Sequence, residues 1–86
     1  MIKATETKLK GCFVLEPQVF EDERGYFFES YNHKEFCKVI GEEVHFVQDN
    51  RSFSKKGVLR GLHFQKGEHA QAKLVTVLSG RIQDVV

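Results

Sequence analysis

At 86 residues the chain is one small domain at most. A chain of this size buries only about 60 to 65% of its unfolded surface, so no large independent core is available. Hydrophobic residues make up 41% and charged residues 29%, with a net charge of +1; this excludes the composition of a disordered chain and any global field favouring nucleic acid or an anionic membrane.

The opening stretch, MIKATETKLKGCFVLEP, lacks the apolar run and small-residue cleavage site of a signal peptide, and no window approaches a membrane span. Cys12 and Cys37 form no C-x-x-C pair and sit in apolar surroundings, as reduced cysteines of a cytoplasmic protein do. CFVL and QVF read as the first strand pieces, broken at Pro17; EDERG reads as a turn, and YFFESY as a strand rich in aromatics. NHKEFCKVIG breaks the pattern. Asn32 as N-cap, Glu35 three residues on, an apolar face of Phe36, Val39 and Ile40, and Gly41 after the end predict a short helix near residues 32–40. VHFVQDN, VLRGLHFQ, AKLVTVL and RIQDVV then read as strands, so the expected fold is a mainly β sandwich or barrel with one helix. RIQDVV stops in a strand pattern without a turn or polar tail, which reads as a truncated chain with an unfinished sheet.

The stretch GVLRGLHFQKG sets a cation and an imidazole inside an apolar strand. Regular alternation puts His63 and Gln65 on one face and Arg60 on the other, so a shared pocket requires a kink, which Gly61 between them tolerates. With KGEHA as a hairpin loop centred near Glu68, His63 falls opposite Lys73, with Cβ atoms about 5 Å apart. A cationic neighbour disfavours imidazolium and keeps a neutral base available, while the ammonium can stabilise a developing oxyanion. Structural readings stand beside these: a hydrogen-bonded rim histidine, a solvated lysine and an arginine held by an internal salt bridge. His33, His45 and His69 read as surface or rim residues. The triplet His63, Phe64, Gln65 replaces the second imidazole of a cupin H-x-H chelate by an amide, which argues against a catalytic metal. EDERGYFFES places Arg24 beside a turn glycine and Phe27 and Glu29 at alternate positions; VQDN places Gln48 and Asn50 on one face. Arginine binds phosphates bidentately, and amides hydrogen-bond sugar hydroxyls or base edges.

Together DERGYFFESYN, FVQDNRSFSKKGVLRGLHFQ and the following AKLV and DVV resemble the N-terminal half of the dTDP-4-dehydrorhamnose 3,5-epimerase family, over essentially the whole chain and in the family's order. The resemblance implies a cupin-like jelly roll, with residues 1–86 as the N-terminal part of one domain. It also implies an epimerase without metal or other cofactor, inverting carbons 3 and 5 of a dTDP-linked 4-keto-6-deoxy sugar. Close alternatives are a single epimerase, a keto-isomerase, or a non-catalytic piece that binds nucleotide sugar or dimerises. By resemblance His63 matches the general base and Lys73 a residue near the keto oxygen. Arg24, Phe27, Glu29, Gln48, Asn50 and Arg60 match substrate contacts. The implied partner is a second copy, the two subunits exchanging N-terminal strands so that Arg24, Phe27 and Glu29 serve the neighbour's pocket; no nucleic acid or membrane is implied. The family's acid tyrosine and the acidic partner of its base belong to the second half of the domain, and Tyr26 and Tyr31 do not match that tyrosine. The 86-residue chain alone is accordingly expected to be inactive.

Overall fold

The structure, a computed structural model, describes residues 2–63, 67 and 72–86. The chain divides into two compact units, Met1–Val47 and Gln48–Val86.

The first unit holds the regular elements. Strand β1 (Ile2–Glu6) pairs antiparallel with β2 (Phe13–Pro17), placing Ile2 opposite Pro17, Ala4 opposite Leu15 and Glu6 opposite Phe13. Ile2, Ala4, Phe13, Leu15 and Pro17 are half-buried while Lys3, Thr5, Val14 and Glu16 are exposed, the period-2 alternation of a sheet with one covered face. The connection is closed by its own side chains: Gly11 N donates to Glu6 Oε2 at 3.0 Å and Leu9 N to Thr7 Oγ1 at 3.2 Å. Strand β1 has no counterpart in the sequence reading, although Ile2 and Ala4 alternate with Lys3 and Thr5.

Pro17 ends β2, as expected, and β3 (Val19–Asp22) follows. It pairs antiparallel with β4 (Gly25–Phe28) in the register Val19 to Phe28, Phe20 to Phe27 and Asp22 to Gly25, leaving Glu23 and Arg24 as the turn. The strand expected over YFFESY stops at Phe28, because the β3 ladder has no residue to offer beyond Val19.

Helix α1 (His33–Ile40) forms where its capping signals place it. Asn32 Oδ1 accepts from Glu35 N at 3.0 Å, satisfying one of the donors left unpaired at a helix start. Gly41 takes φ 77°, the left-handed conformation that ends helices, and its N–H donates to Cys37 O at 3.0 Å. Phe36 is buried and Val39 and Ile40 half-buried, as the apolar face requires, and α1 packs against β1. Tyr31 and Phe46 close over Phe36, with ring centroids 5.8 and 5.3 Å away.

Downstream the sequence reading is corrected. Among the described residues, VHFVQDN, AKLVTVL, RIQDVV and positions 58–63 of VLRGLHFQ form no ladder. Alternation survives briefly, since Val44 and Phe46 are half-buried between exposed Glu43, His45 and Val47. A strand, however, needs a neighbour for its N–H and C=O groups and a layer to cover its apolar face. Leu59, Leu62, Leu78 and Val86 are all exposed, and among the described residues of Gln48–Val86 no ladder forms. The unit is shaped by turns instead, such as Lys55 to Val58, where Val58 N donates to Lys55 O at 3.2 Å. Among the described residues no helix is long and apolar enough to cross a membrane.

Candidate active site

In the first unit, the β3–β4 turn presents Arg24 as a built feature. Asp22 Oδ1 accepts from Arg24 N at 2.8 Å, an aspartate turn that fixes the backbone. Asp22 Oδ2 accepts from Arg24 Nη2 at 2.6 Å and from Nε at 3.1 Å, holding the guanidinium beside the turn. The Arg24 side-chain contact, and then the Arg24 and Gly25 backbone N–H groups, keep the Asp22 carboxyl below its ordinary pKa. Asp22 was missed as a site residue in the sequence, although aspartate two residues before an arginine at a turn is the signal for this arrangement.

Phe27 and Glu29 are also brought together. They line a shallow depression with Ile2, Pro17, Gln18 and Phe20, although Glu29 lies one residue past the end of β4. Its aromatic wall comes from the cross-strand pair Phe20 and Phe27, and Gln18 and Glu29 supply the polar groups.

In the second unit, Gln48 Nε2 donates to Asn50 Oδ1 at 3.4 Å, although the strand expected there is not formed. Arg60 folds back on the preceding loop: Nε donates to Ser54 Oγ at 2.9 Å and Nη2 to Phe53 O at 3.1 Å. Among the described residues these are the Arg60 side-chain contacts, and Ser54 carries no signal in the strand pattern that points to it. Gly61 takes φ 124°, a conformation that side-chain-bearing residues rarely adopt, at the position where a departure from regular strand is expected.

His63 and Lys73 are both exposed, and no ladder between described residues sets them opposite one another. The hairpin loop around Glu68, together with Phe64, Gln65 and His69, lies outside the described residues.

Among the described residues, four antiparallel strands and one short helix make up the regular structure, a mainly β chain. The chain belongs to the dTDP-4-dehydrorhamnose 3,5-epimerase family, whose match covers residues 6–86. It is 56% identical to the dTDP-4-dehydrorhamnose 3,5-epimerase of Salmonella typhimurium, over 99% of this chain and 46% of that protein. With the enzyme of the same name from Methanothermobacter thermautotrophicus it shares 55% identity, over 93% of this chain and 42% of the other. The crystal structure of dTDP-4-dehydrorhamnose 3,5-epimerase from Elizabethkingia anophelis superposes with a TM-score of 0.72 at 61% identity, covering 80% of this chain and 38% of that one. The fold is therefore the mainly β, cupin-like fold of that family. The chain spans less than half the length of these relatives.

Proposed function

We propose that this chain supplies the N-terminal part of an epimerase that inverts carbons 3 and 5 of a dTDP-linked 4-keto-6-deoxy sugar, in the cytoplasmic synthesis of dTDP-rhamnose. The observation that carries the reading is the family match, which runs through residues 6–86 and so includes every residue assigned a role here. A C–H beside a ketone is removable when a base is held within about 3 Å of the proton and the enolate charge is stabilised. His63 is the proposed base and Lys73 the group that stabilises the enolate oxygen. Arg60 takes an anionic or hydroxyl-rich part of the substrate, and Gln48 and Asn50 hydrogen-bond it, while Arg24, Phe27 and Glu29 contact the substrate of a second copy. The exposed apolar side chains of the β3–β4 hairpin, Phe20 at 56% and Phe27 at 71%, suit burial against a second copy through exchanged N-terminal strands.

The test is a chimera in which residues 1–86 replace the matching part of the Salmonella relative, assayed for solvent deuterium entering sugar carbons 3 and 5. Positioned proton transfer contributes about 10² to 10⁴-fold, so His63→Ala is expected to slow exchange by that factor while leaving nucleotide-sugar binding nearly intact. Arg60→Ala is expected to weaken binding instead. A folded His63→Ala chimera exchanging both hydrogens at the parental rate would remove the base assignment, and exchange at one carbon alone would make the enzyme a single epimerase.

A further inference from the structure

Around the start of α1 the structure gathers a second group of chemically capable side chains, which takes no part in the proposed epimerase site. His33 Nε2 and His45 Nε2 each lie 3.0 Å from the same carboxylate oxygen, Glu43 Oε1. The two imidazoles stack with centroids 4.6 Å apart and planes 27° from parallel, so their Nε2 atoms converge on one point. All three ligand atoms lie within 4.8 Å of one another.

We propose that His33, Glu43 and His45 form a binding site for a divalent first-row transition metal, typified by Zn²⁺, on the surface of the Met1–Val47 unit. Two imidazoles and one carboxylate are a donor set that suits such ions, and water completes the coordination. A tetrahedral ion with bonds of 2.0 to 2.2 Å sets its ligand atoms roughly 3.3 Å apart. Two of the three separations are already 3.0 Å, and the third is no more than 4.8 Å. The side chains are 41%, 66% and 70% exposed for His33, Glu43 and His45, so small rotations bring the set to that geometry without disturbing packed residues.

The backbone that carries the three ligands is held independently of them. Gly41 turns the chain back along α1, and Val44 N donates to Cys37 Sγ at 3.4 Å while the thiol donates to Val44 O at 3.5 Å. Phe46 packs on Phe36 and Tyr31. With Val44 and Phe46 turned inward, alternation places Glu43 and His45 outward, on the side of His33. Histidines that bind metal through one ring nitrogen usually donate the other N–H to an oxygen, and Tyr31 OH stands 3.4 Å from His33 Nδ1 in that position. The bound ion would join the first turn of α1 to the segment that follows the helix, closing a short loop.

The test is Zn²⁺ titration of the full 86-residue chain, without an affinity tag and with its thiols reduced, by calorimetry and by the urea midpoint. Expected is saturable binding of one ion, at micromolar concentration to order of magnitude, with the midpoint rising as Zn²⁺ is added, because the ion binds the folded state. His45→Gln, His33→Asn and Glu43→Gln are each expected to weaken binding at least tenfold, and circular dichroism should show each variant folded without metal. His45 and Glu43 are exposed loop residues, so those two variants keep the test meaningful if His33→Asn disturbs the helix. Absence of saturable binding would reduce the cluster to a carboxylate hydrogen-bonded to His33 with His45 close by. Binding that survives in His45→Gln or Glu43→Gln would place the ion elsewhere; either result overturns the proposal.

Discussion

Replacing Phe36 by alanine should remove most of what holds the Met1–Val47 unit together. Phe36 is 7% exposed and is the one buried hydrophobic residue among those described. Burying a phenylalanine side chain contributes about 1.5 to 3 kcal/mol. Its contacts with Tyr31 at 5.8 Å and Phe46 at 5.3 Å each add about 0.5 to 1.5 kcal/mol. Together these bracket the loss of about 3 to 5 kcal/mol typical of Phe→Ala in a core. The lower end applies here, because Tyr31 is 40% exposed and sits at the rim, where it can settle into the space. At about 0.05 to 0.15 kcal/mol per residue, the Met1–Val47 unit has a stability of about 2 to 7 kcal/mol, so Phe36→Ala should bring the unit close to unfolding at room temperature. Phe36→Leu keeps the burial and loses mainly the ring contacts, for about 1 to 2 kcal/mol. Urea unfolding followed by far-ultraviolet circular dichroism measures both. The chain has no Trp and two Tyr, so the near-ultraviolet signal of Tyr31 gives a local check. A loss below about 1 kcal/mol for the alanine variant, or equal losses for the two variants, would refute the assignment of the aromatic cluster as the core.

Asn32→Ala removes the acceptor for Glu35 N and should cost about 1 kcal/mol, largely restored by Asn32→Asp, in the same urea assay. Gly41→Ala forces a side chain into the left-handed region at φ 77° and should cost about 1 to 2 kcal/mol, with helical signal lost first. Asp22 should titrate below the ordinary carboxylate range in a carbon-detected NMR experiment, and Arg24→Ala should move it back up, since the Arg24 side chain is the largest cause of the lowering. A depressed folded pKa means that the turn's contribution is present above the unfolded value of about 3.9 and is lost as pH falls through the lowered folded value. High salt should shrink the difference, because the pair is exposed.

What the sequence reveals depends on whether the signal is local. Helix α1 is legible to the residue because Asn32, Phe36 and Gly41 each act within one or two turns of chain. The β3–β4 hairpin is legible for the same reason, since Asp22 and Gly25 define its turn without reference to anything distant. Strand β1 is missed because its five residues include only two half-buried apolar ones, and its pairing to β2 is set across a six-residue connection. The reverse error occurs at AKLVTVL and RIQDVV, where composition favours a strand but a ladder also needs a partner, which composition cannot supply. The candidate site follows the same rule. Gln48 Nε2 donates to Asn50 Oδ1 without any strand around them, and placing His63 opposite Lys73 depends on a pairing register that the described residues do not form. The convergence of His33 and His45 on Glu43 is hidden in the sequence, because it depends on the chain reversing at Gly41.

The Asp22–Arg24 pair bears on the proposed substrate role of Arg24. An arginine committed to a carboxylate looks spent as a phosphate ligand, but the geometry argues otherwise. Asp22 uses a single oxygen to accept from Nε and Nη2, so the remaining guanidinium N–H groups, including both on Nη1, have no acceptor in that pair. The side chain is 88% exposed, which leaves those donors open to an incoming anion. Exposed ion pairs contribute little to stability, so the pair is better understood through what it does to the side chain. A free arginine loses considerable rotamer entropy when it grips a ligand, and a carboxylate that already restrains it removes part of that loss beforehand. The aspartate also partly offsets the positive field felt by the anion, so its net effect on binding is the difference between these two contributions. Restraint dominates if Asp22→Asn, which keeps an acceptor oxygen for the turn but removes the charge, weakens nucleotide-sugar binding in the chimera. Tighter binding in that variant would show that charge competition wins, and that Asp22 is there for the turn alone.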